Sequence, residues 1–247
     1  MHVRTRQSIS FFVTVAALLA AALPVGAQVT HGVFVTPVPN APFSATVHLE
    51  RTQIQPDGSA VQLWSVREIA RDDRGRIYNE FRPLVPASVK DVPPVTVIHL
   101  YDPQNRMTEY LYPANKTYRM MMLNRPPATD TTEDFASPTG AAAPANQFTH
   151  QDDLGYRTME GLQVHGVRVT QTLPAAESGT GQDVVVTDEY WYSEALRVNL
   201  ATKHDDPRTG SVTMTVTQIS RTEPSAALFG VPADYTMAGL AAPAAGK

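Results

Sequence analysis

The chain has 247 residues and carries 20 basic against 24 acidic side chains, which gives a formal net charge of −4. This mildly acidic balance, without a basic run, excludes the kind of basic surface that binds nucleic acid or anionic lipid headgroups. The sequence contains no cysteine, which excludes disulfides, thiolate metal sites, a cysteine nucleophile and a lipid-modified N-terminal cysteine.

Residues 1–27 are typical of an export signal. Arg4 and Arg6 precede the apolar run 9–23, and Pro24-Val25-Gly26-Ala27 supplies a helix break and small residues for cleavage. A membrane anchor is the alternative, but this run of about 15 residues is shorter than the ~20 that span a bilayer. We therefore expect cleavage after Ala27, no integral membrane segment afterwards, and a periplasmic or secreted location.

Alternating apolar and polar residues predict β-strands along most of the remaining chain. In FSATVHLER, residues 43–51, and SVTMTVTQI, residues 211–219, every second side chain is apolar or small, which is typical of a strand with one buried face. Turn signals such as Asp57-Gly58 separate the strands, and no window shows a convincing helical period. We expect a mainly β fold of about ten to eleven antiparallel strands in one curved sheet, with few short helices.

Two segments interrupt this pattern. Residues 124–151 are rich in Pro, Ala, Thr and acidic residues, so they cannot bury enough apolar surface to offset the cost of ordering. The Ala-rich tail 238–247 is expected to be disordered for the same reason. The sequence thus predicts a single β domain over residues 28–237 that contains a flexible insertion at 124–151.

The sequence shows no motif for catalysis, for a metal or for a cofactor. It lacks an H-E-x-x-H pattern, a G-x-S-x-G elbow and a glycine-rich phosphate loop that opens a helix. The one local cluster of ligand-capable atoms, His204-Asp205-Asp206, lies where a strand gives way to a turn. There we expect both aspartates to accept hydrogen bonds from turn amides. We expect no catalytic residue, no metal and no cofactor, and a protein that is not an enzyme.

Aromatic and methionine side chains provide the candidate ligand-binding residues. By strand alternation Tyr190 and Tyr192 share one face and Trp191 takes the other, while Trp64 lies in an earlier strand. The three methionines 120–122 cannot all face the core from one strand, so at least one should be exposed or line a binding site. Core packing is the alternative explanation. The candidates for contact with an apolar ligand are Trp64, Tyr190, Tyr192, Met120 and Met122.

The C-terminal part of the chain resembles a known family. Residues 203–237 run in the order of strand, Asp-Pro turn, threonine-rich strand, polar link and then apolar-Phe-x-Val-Pro. This order is similar to the C-terminal end of proteins of the LolA-like superfamily. The resemblance implies an open antiparallel half-barrel curved around a hydrophobic cavity. The sequence departs from the lipoprotein carriers of that family because it offers no strong amphipathic helix that could serve as a lid.

The resemblance also implies a function. We expect a soluble periplasmic protein that binds an apolar ligand, such as a lipid or a lipoprotein acyl chain, in the concave face of the sheet. Its partners would be a hydrophobic small molecule or a lipoprotein, and not nucleic acid. The alternative is an envelope protein–protein interaction or signalling module with a filled core and no ligand, like the sigma-factor regulators of that superfamily.

The apolar stretch EPSAALFGVPADYTM, residues 223–237, is predicted to close one end of the sheet. Thr222 can cap a short helical turn that begins near Pro224, a residue tolerated in a first turn. We expect Leu228 and Phe229 to insert into the end of the sheet.

Overall fold

The computed structural model of the chain describes residues 33–123 and 148–238. The expected signal peptide 1–27, most of the expected insertion and the tail from residue 239 lie outside these ranges. The strands are β1 (Phe43–Ile54), β2 (Ala60–Arg71), β3 (Ile77–Phe81), β4 (Val85–Pro86), β5 (Val97–Asp102), β6 (Met107–Tyr112), β7 (Thr117–Met122), β8 (Thr149–Met159), β9 (Leu162–Leu173), β10 (Val184–Ser193), β11 (Val198–Asp206), β12 (Gly210–Ser220) and β13 (Thr236–Met237). Helix α1 spans Ala175–Ser178, and a 3-10 helix spans Ala226–Phe229.

All thirteen strands belong to one sheet. Its order is β13-β7-β6-β5-β3-β2-β1-β12-β11-β10-β9-β8, with β4 paired to β2 outside this path. Neighbouring strands are antiparallel except for β13 and β7. The predicted class, an antiparallel and mainly β sheet with few short helices, is confirmed. The described residues form 13 strands instead of about ten to eleven, because β4 and β13 have two residues each and are too short to show alternation.

Strand β1 joins the two halves of the sheet. It pairs with β2 on one side and with β12 on the other, so the two strands with the clearest alternation are direct neighbours. We call the side of the sheet that carries Phe43, Ala45 and Val47 the core face, and the opposite side the outer face. All three side chains are buried, as the sequence predicts. Residues directly opposite each other on paired strands share a face, which extends these two labels to neighbouring strands.

The core face is filled with the protein's own side chains over β1 and β9–β12. Val33 and Val35, which precede β1, belong to this buried cluster. Its other members are Phe43, Ala45, Val47, Ile69, Ile77, Leu162, Val164, Trp191, Leu196, Val198, Leu200, Met214 and Val216. Because Gly166 has no side chain, the ring of Trp191 lies against it, where an added Cβ would come within 2.6 Å of that ring.

The aromatic run in β10 is buried on both sides of the strand. Trp191 pairs with Ala201 and Tyr192 pairs with Asn199, so the pairing with β11 contains a β-bulge at Leu200. A bulge interrupts the regular alternation of faces and increases the local twist. Trp191 is 9% exposed and both flanking tyrosines are 7% exposed. The sequence predicted two opposite faces here, but it could not predict that both faces are covered.

A buried arginine ties the segment before β1 to the sheet. Arg71 is fully buried and donates from Nε and Nη2 to the Ala41 carbonyl, at 2.9 and 2.7 Å. It also donates from Nη1 to the Thr36 carbonyl at 2.7 Å and from Nη2 to the Leu196 carbonyl at 2.8 Å. Its guanidinium lies 5.0 Å from the ring centroid of Phe43. Burial lowers the pKa of Arg71 to about 10, which leaves it charged at neutral pH.

The segment after β12 packs against β3 and reaches the far edge of the sheet. Phe229 is 7% exposed, in agreement with the prediction, and the guanidinium of Arg76 lies 5.1 Å from its ring centroid. Leu228 is 38% exposed, so its predicted insertion is wrong. The predicted cap is also wrong: the 3-10 helix begins two residues after Pro224, and the Ser225 hydroxyl, not Thr222, accepts the amide of Ala227. Beyond this helix, β13 pairs with β7.

The predicted C-terminal boundary of the insertion 124–151 lies inside strand β8. Residues from Thr149 onward already form β8, where Thr149 pairs with Gln171 and His150 pairs with Thr170. The polar composition of this stretch suggested a loop, but the pairing with β9 makes it an edge strand.

Candidate functional site

The Trp64 side chain lies on the outer face and lines an open groove, which also takes in core-face residues such as Leu63. By register it stands opposite Glu50, and its Nε1 donates to the Val89 carbonyl at 2.9 Å. The groove has a volume of about 370 Å³ and is also lined by Arg51 and Lys90. Its lining therefore mixes apolar and charged groups, which differs from the concave apolar surface that the sequence led us to expect.

The other predicted contact residues differ in how accessible they are. Burial raises the pKa of both Tyr190 and Tyr192, and neither ring offers a surface to a ligand in the described structure. Met120 and Met122 are 43% and 71% exposed, so the prediction that at least one of the three methionines is exposed is confirmed.

The structure does not bring these five residues together. Trp64, Met120 and Met122 lie on the outer face, but β2 and β7 are four strand steps apart, or about 19 Å at the usual strand spacing. Tyr190 and Tyr192 are buried in β10, in the other half of the sheet. The predicted residues thus belong to at least two separate surfaces.

A different group of aromatic and apolar side chains shares the core face of β3, β5, β6 and β7. We call it the aromatic patch, and its members are Phe81, Val97, Tyr101, Tyr110, Tyr112 and Met121. The register places them on the core face, since Phe81 pairs with Val97, Tyr101 with Thr108, and Thr108 with Met121. Phe81 is 41% and Met121 is 52% exposed, and the other four are half-buried. Among the described residues, the core face is therefore filled at its centre and open at the aromatic patch.

Sequence reasoning missed the aromatic patch because apolar residues occur on both faces of these strands. In β5, Val97 and Tyr101 point to the core face while Ile98 and Leu100 point to the outer face. Alternation therefore shows a strand but does not show which face is buried. The high proportion of aromatic residues in 97–118 was the available signal.

Arg67 lies next to the aromatic patch and has a buried side-chain donor without an acceptor. Its guanidinium lies 5.8 Å from the ring centroid of Phe81, and its Nε is buried without a hydrogen-bond partner. Within the described residues, no carboxylate pairs with it. Burial lowers the pKa of Arg67. The buried Oδ1 of Asn79, on the adjacent strand β3, is also without a partner. Buried polar atoms are normally satisfied, so two unpaired groups on one face require an explanation.

His99 is the one histidine on the core face of β3, β5, β6 and β7. It stacks on Tyr110 with ring centroids 4.9 Å apart, and its Nε2 lies 2.7 Å from Oγ1 of Thr108. Burial lowers the pKa of His99, which keeps it neutral at neutral pH. Thr108 is itself buried, and its hydroxyl also donates to the Leu100 carbonyl at 3.3 Å. This histidine–hydroxyl pair therefore does not present an accessible nucleophile.

The residues predicted from the 204–206 cluster separate to different partners. Asp206 accepts the backbone amide of Arg208 at 2.9 Å, as predicted for a turn. Asp205 instead lies 3.7 Å from Nζ of Lys203, so the expectation of a turn amide is wrong for this residue. Nδ1 of His204 lies 2.8 Å from Asp188. Each of the three side chains is thus engaged separately.

One group of carboxylates does converge. Oxygens of Asp72, Asp73 and Glu223 lie within 4.8 Å of one another. Asp72 accepts from Nε of Arg76 at 2.6 Å, and Glu223 accepts from the amide of Asp73 at 3.1 Å. These contacts hold the turn after β2 against the segment after β12, which accounts for the cluster in structural terms.

Comparisons with known proteins match this chain to solved structures at low sequence identity. No family model matches the sequence, and no curated protein matches it either. A chain from the complex of MucA and MucB of Pseudomonas aeruginosa is matched with 13% identity and a TM-score of 0.40. That match covers 78% of this chain, which spans only 56% of the length of the matched chain.

Two further matches cover nearly the whole length of the other protein. A LolA superfamily protein from Nitrosomonas europaea has 12% identity and a TM-score of 0.29, over 79% of this chain and 92% of its own. LprF from Mycobacterium bovis has 14% identity and a TM-score of 0.30, over 78% and 90%. A protein of the LolA superfamily, which residues 203–237 resemble, is thus among the matches. At these TM-scores the likenesses place no functional residue on this chain.

None of the helices in the described ranges has both the length and the apolar character needed to cross a bilayer.

Proposed function

We propose that this protein is an exported binding protein that holds an apolar ligand, such as a lipid or a lipoprotein acyl chain, on the aromatic patch. The observation that supports this proposal is the exposure of Phe81 and Met121 on the same face that is densely filled a few strands away. Contiguous apolar surface of this kind is uncommon on soluble proteins and marks interaction sites. The role is binding and not catalysis.

The aromatic patch has a suitable size for an acyl chain. It extends over β3, β5, β6 and β7, which are three strand steps, or about 14 Å. A chain that buries about ten CH2 groups there gains about 8 kcal/mol, at ~0.8 kcal/mol for each group. Association costs at least about 4 kcal/mol of lost freedom. The net gain is thus at most about 4 kcal/mol, so we expect dissociation constants of about 1 mM or weaker.

The location forms part of the same proposal. Residues 1–27 carry the pattern of a cleaved export signal, and the proposed ligand sources, acyl chains of the envelope, are found outside the cytoplasm. Cell fractionation with N-terminal sequencing tests it: a mature protein that begins at Gln28 in the periplasmic or secreted fraction is the expected result.

A fluorescence titration with N-phenyl-1-naphthylamine, an uncharged apolar probe, tests the binding proposal. The purified mature protein should enhance the probe's emission in a saturable manner. Phe81→Ser should weaken binding several-fold, because it replaces an exposed ring of the patch by a polar group. Val185→Ser is the control, since Val185 is 47% exposed but lies on β10, away from the patch. Equal binding by both variants, or no saturable binding by the wild type, would refute the proposal.

A second candidate is an envelope interaction or signalling module that binds no ligand. The filled core face over β1 and β9–β12 supports it, because that part of the sheet holds only the protein's own side chains. Under this alternative, the probe does not bind, and a stoichiometric protein partner is recovered from envelope extract.

A further inference from the structure

Charged side chains are segregated between the two faces of one half of the sheet. The core face of β1, β2, β3, β5, β6 and β7 carries four arginines: Arg51, Arg67, Arg71 and Arg119. By register, no aspartate or glutamate of these six strands lies on that face. Their carboxylates lie on the outer face and are Glu50, Glu68, Glu80, Asp102 and Glu109. The net charge of −4 hides this local positive face.

Among these arginines, Arg67 is the one with a buried donor and no acceptor. Arg71 has its donors satisfied by backbone carbonyls. Arg51 lines the groove of Trp64, and Arg119 is exposed to solvent. Nε of Arg67 is buried and unpaired, although buried donors are normally satisfied because an unmade hydrogen bond destabilises the folded protein.

We infer that the apolar ligand is a fatty acid, and that Arg67 binds its carboxylate while its acyl chain lies along the aromatic patch. This inference rests on the proposed function. The Nε–Nη edge of a guanidinium matches a carboxylate with two parallel hydrogen bonds. A single arginine balances the one negative charge of a carboxylate, whereas a phosphate monoester with up to two charges would need a second cation.

The neighbours of Arg67 fit the two parts of such a ligand. Asn79 lies diagonally across from Arg67, since it pairs with Ile69 two residues further along β2. Cross-strand diagonals are ~7–8 Å apart, within reach of long side chains. Its amide can turn about its last side-chain bond and donate to the carboxylate. On the other side, the ring of Phe81 contacts Arg67 and begins the aromatic patch, so head and chain are bound by adjacent groups.

Competition between chain-matched ligands tests the inference. Dodecanoate and 1-dodecanol have the same number of carbons and differ in the charged head, and each displaces N-phenyl-1-naphthylamine from the mature protein at pH 8. The wild type should bind dodecanoate at least about tenfold more tightly, as expected for a charge-assisted hydrogen-bonded pair. Arg67→Gln should remove this preference and leave the affinity for dodecanol within about twofold. Arg221→Gln makes the same charge change at an exposed residue and should change neither affinity.

Each outcome has a distinct meaning. Equal affinity of the wild type for the two ligands, or a preference that survives in Arg67→Gln, overturns the inference and leaves the apolar site in place. Absence of probe binding by the wild type refutes the proposed function and the inference with it. If Arg67→Gln does not fold, Asn79→Asp replaces it, because a carboxylate there pairs with Arg67 and should weaken dodecanoate binding alone. A folded Asn79→Asp protein with unchanged dodecanoate affinity contradicts the inference.

Discussion

Replacing Arg71 by methionine removes a buried cation while keeping a side chain of similar length. The wild-type guanidinium is fully buried and donates to the carbonyls of Thr36, Ala41 and Leu196. These acceptors come from two segments outside the strands, which Arg71 holds against β2. In Arg71→Met all three carbonyls lose this donor, and methionine supplies none in its place.

The size of the effect follows from two opposing contributions. A buried acceptor left without any donor costs about 2 kcal/mol, so the Ala41 and Leu196 carbonyls cost about 4 kcal/mol. The Thr36 carbonyl still accepts the Val38 amide at 2.9 Å, so its loss is about 1 kcal/mol. Burial of the charge already costs the wild type about 3 kcal/mol, which is the free energy that corresponds to a pKa lowered from 12.5 to about 10. Methionine recovers this cost. The net expectation is a loss of about 2 kcal/mol in the free energy of unfolding.

Urea denaturation followed by circular dichroism measures this loss. Arg221→Met is the control, because Arg221 is exposed and its replacement should stay within about 0.5 kcal/mol of the wild type. Arg71→Lys should also be destabilised, since one ammonium cannot reach three carbonyls that a planar fork reaches together. If Arg71→Met unfolds within about 1 kcal/mol of the wild type, the carbonyl bonds contribute less than the cost of burying the charge. Arg71 would then not stabilise the fold through these carbonyls.

Three other changes test the packing and the electrostatics. Phe229→Ala should lose about 3 kcal/mol by thermal or urea unfolding, because the buried ring leaves a cavity, whereas the half-exposed Leu228→Ala should lose under ~1 kcal/mol. Gly166→Ala should cost about 1–3 kcal/mol, since its Cβ would lie 2.6 Å from the indole ring packed there, while Gly230→Ala, with open space around it, should be nearly silent in the same assay. Hydrogen bonds from the Arg208 side chain and amide lower the pKa of Asp206 below 3.8. The folded pKa is thus below the unfolded one, so this stabilisation is present above pH 3.8 and lost as pH falls through the folded value. Asp206→Asn should therefore show a shallower loss of stability in acid than the wild type, and equal acid profiles would contradict this reasoning.

The strands could be predicted from local sequence, but their neighbours could not. Alternation over 43–50 and 212–217 gives the correct buried faces, because each pattern reports only which side of its own strand is apolar. That β1 and β12 pair with each other is a contact between distant parts of the chain. The burial of the whole run 190–192 also depends on distant residues, since the bulge lies at Leu200 in the partner strand.

The candidate site was missed for the same reason. An arginine in a strand, such as Arg67 or Arg71, is ordinarily expected to face solvent. The role of each arginine depends on the groups that contact it. Arg71 contacts three backbone carbonyls from distant segments, and Arg67 contacts the ring of Phe81 on β3. Trp64 and the methionines were identified by residue type alone, and residue type does not determine whether strands four steps apart share a surface.

Strand β2 connects the stability of the fold to the proposed binding of a carboxylate. Arg71 and Ile69 are buried on the core face, and Arg67 lies on the same face of β2, two residues before Ile69. A charged group on a well-anchored strand is held in place before the ligand arrives, so binding orders less of the protein and costs less free energy. The filled half of the core face and the open half therefore have complementary roles. The first fixes the backbone of β2, and the second uses that fixed backbone to present an unpaired cation beside an aromatic surface.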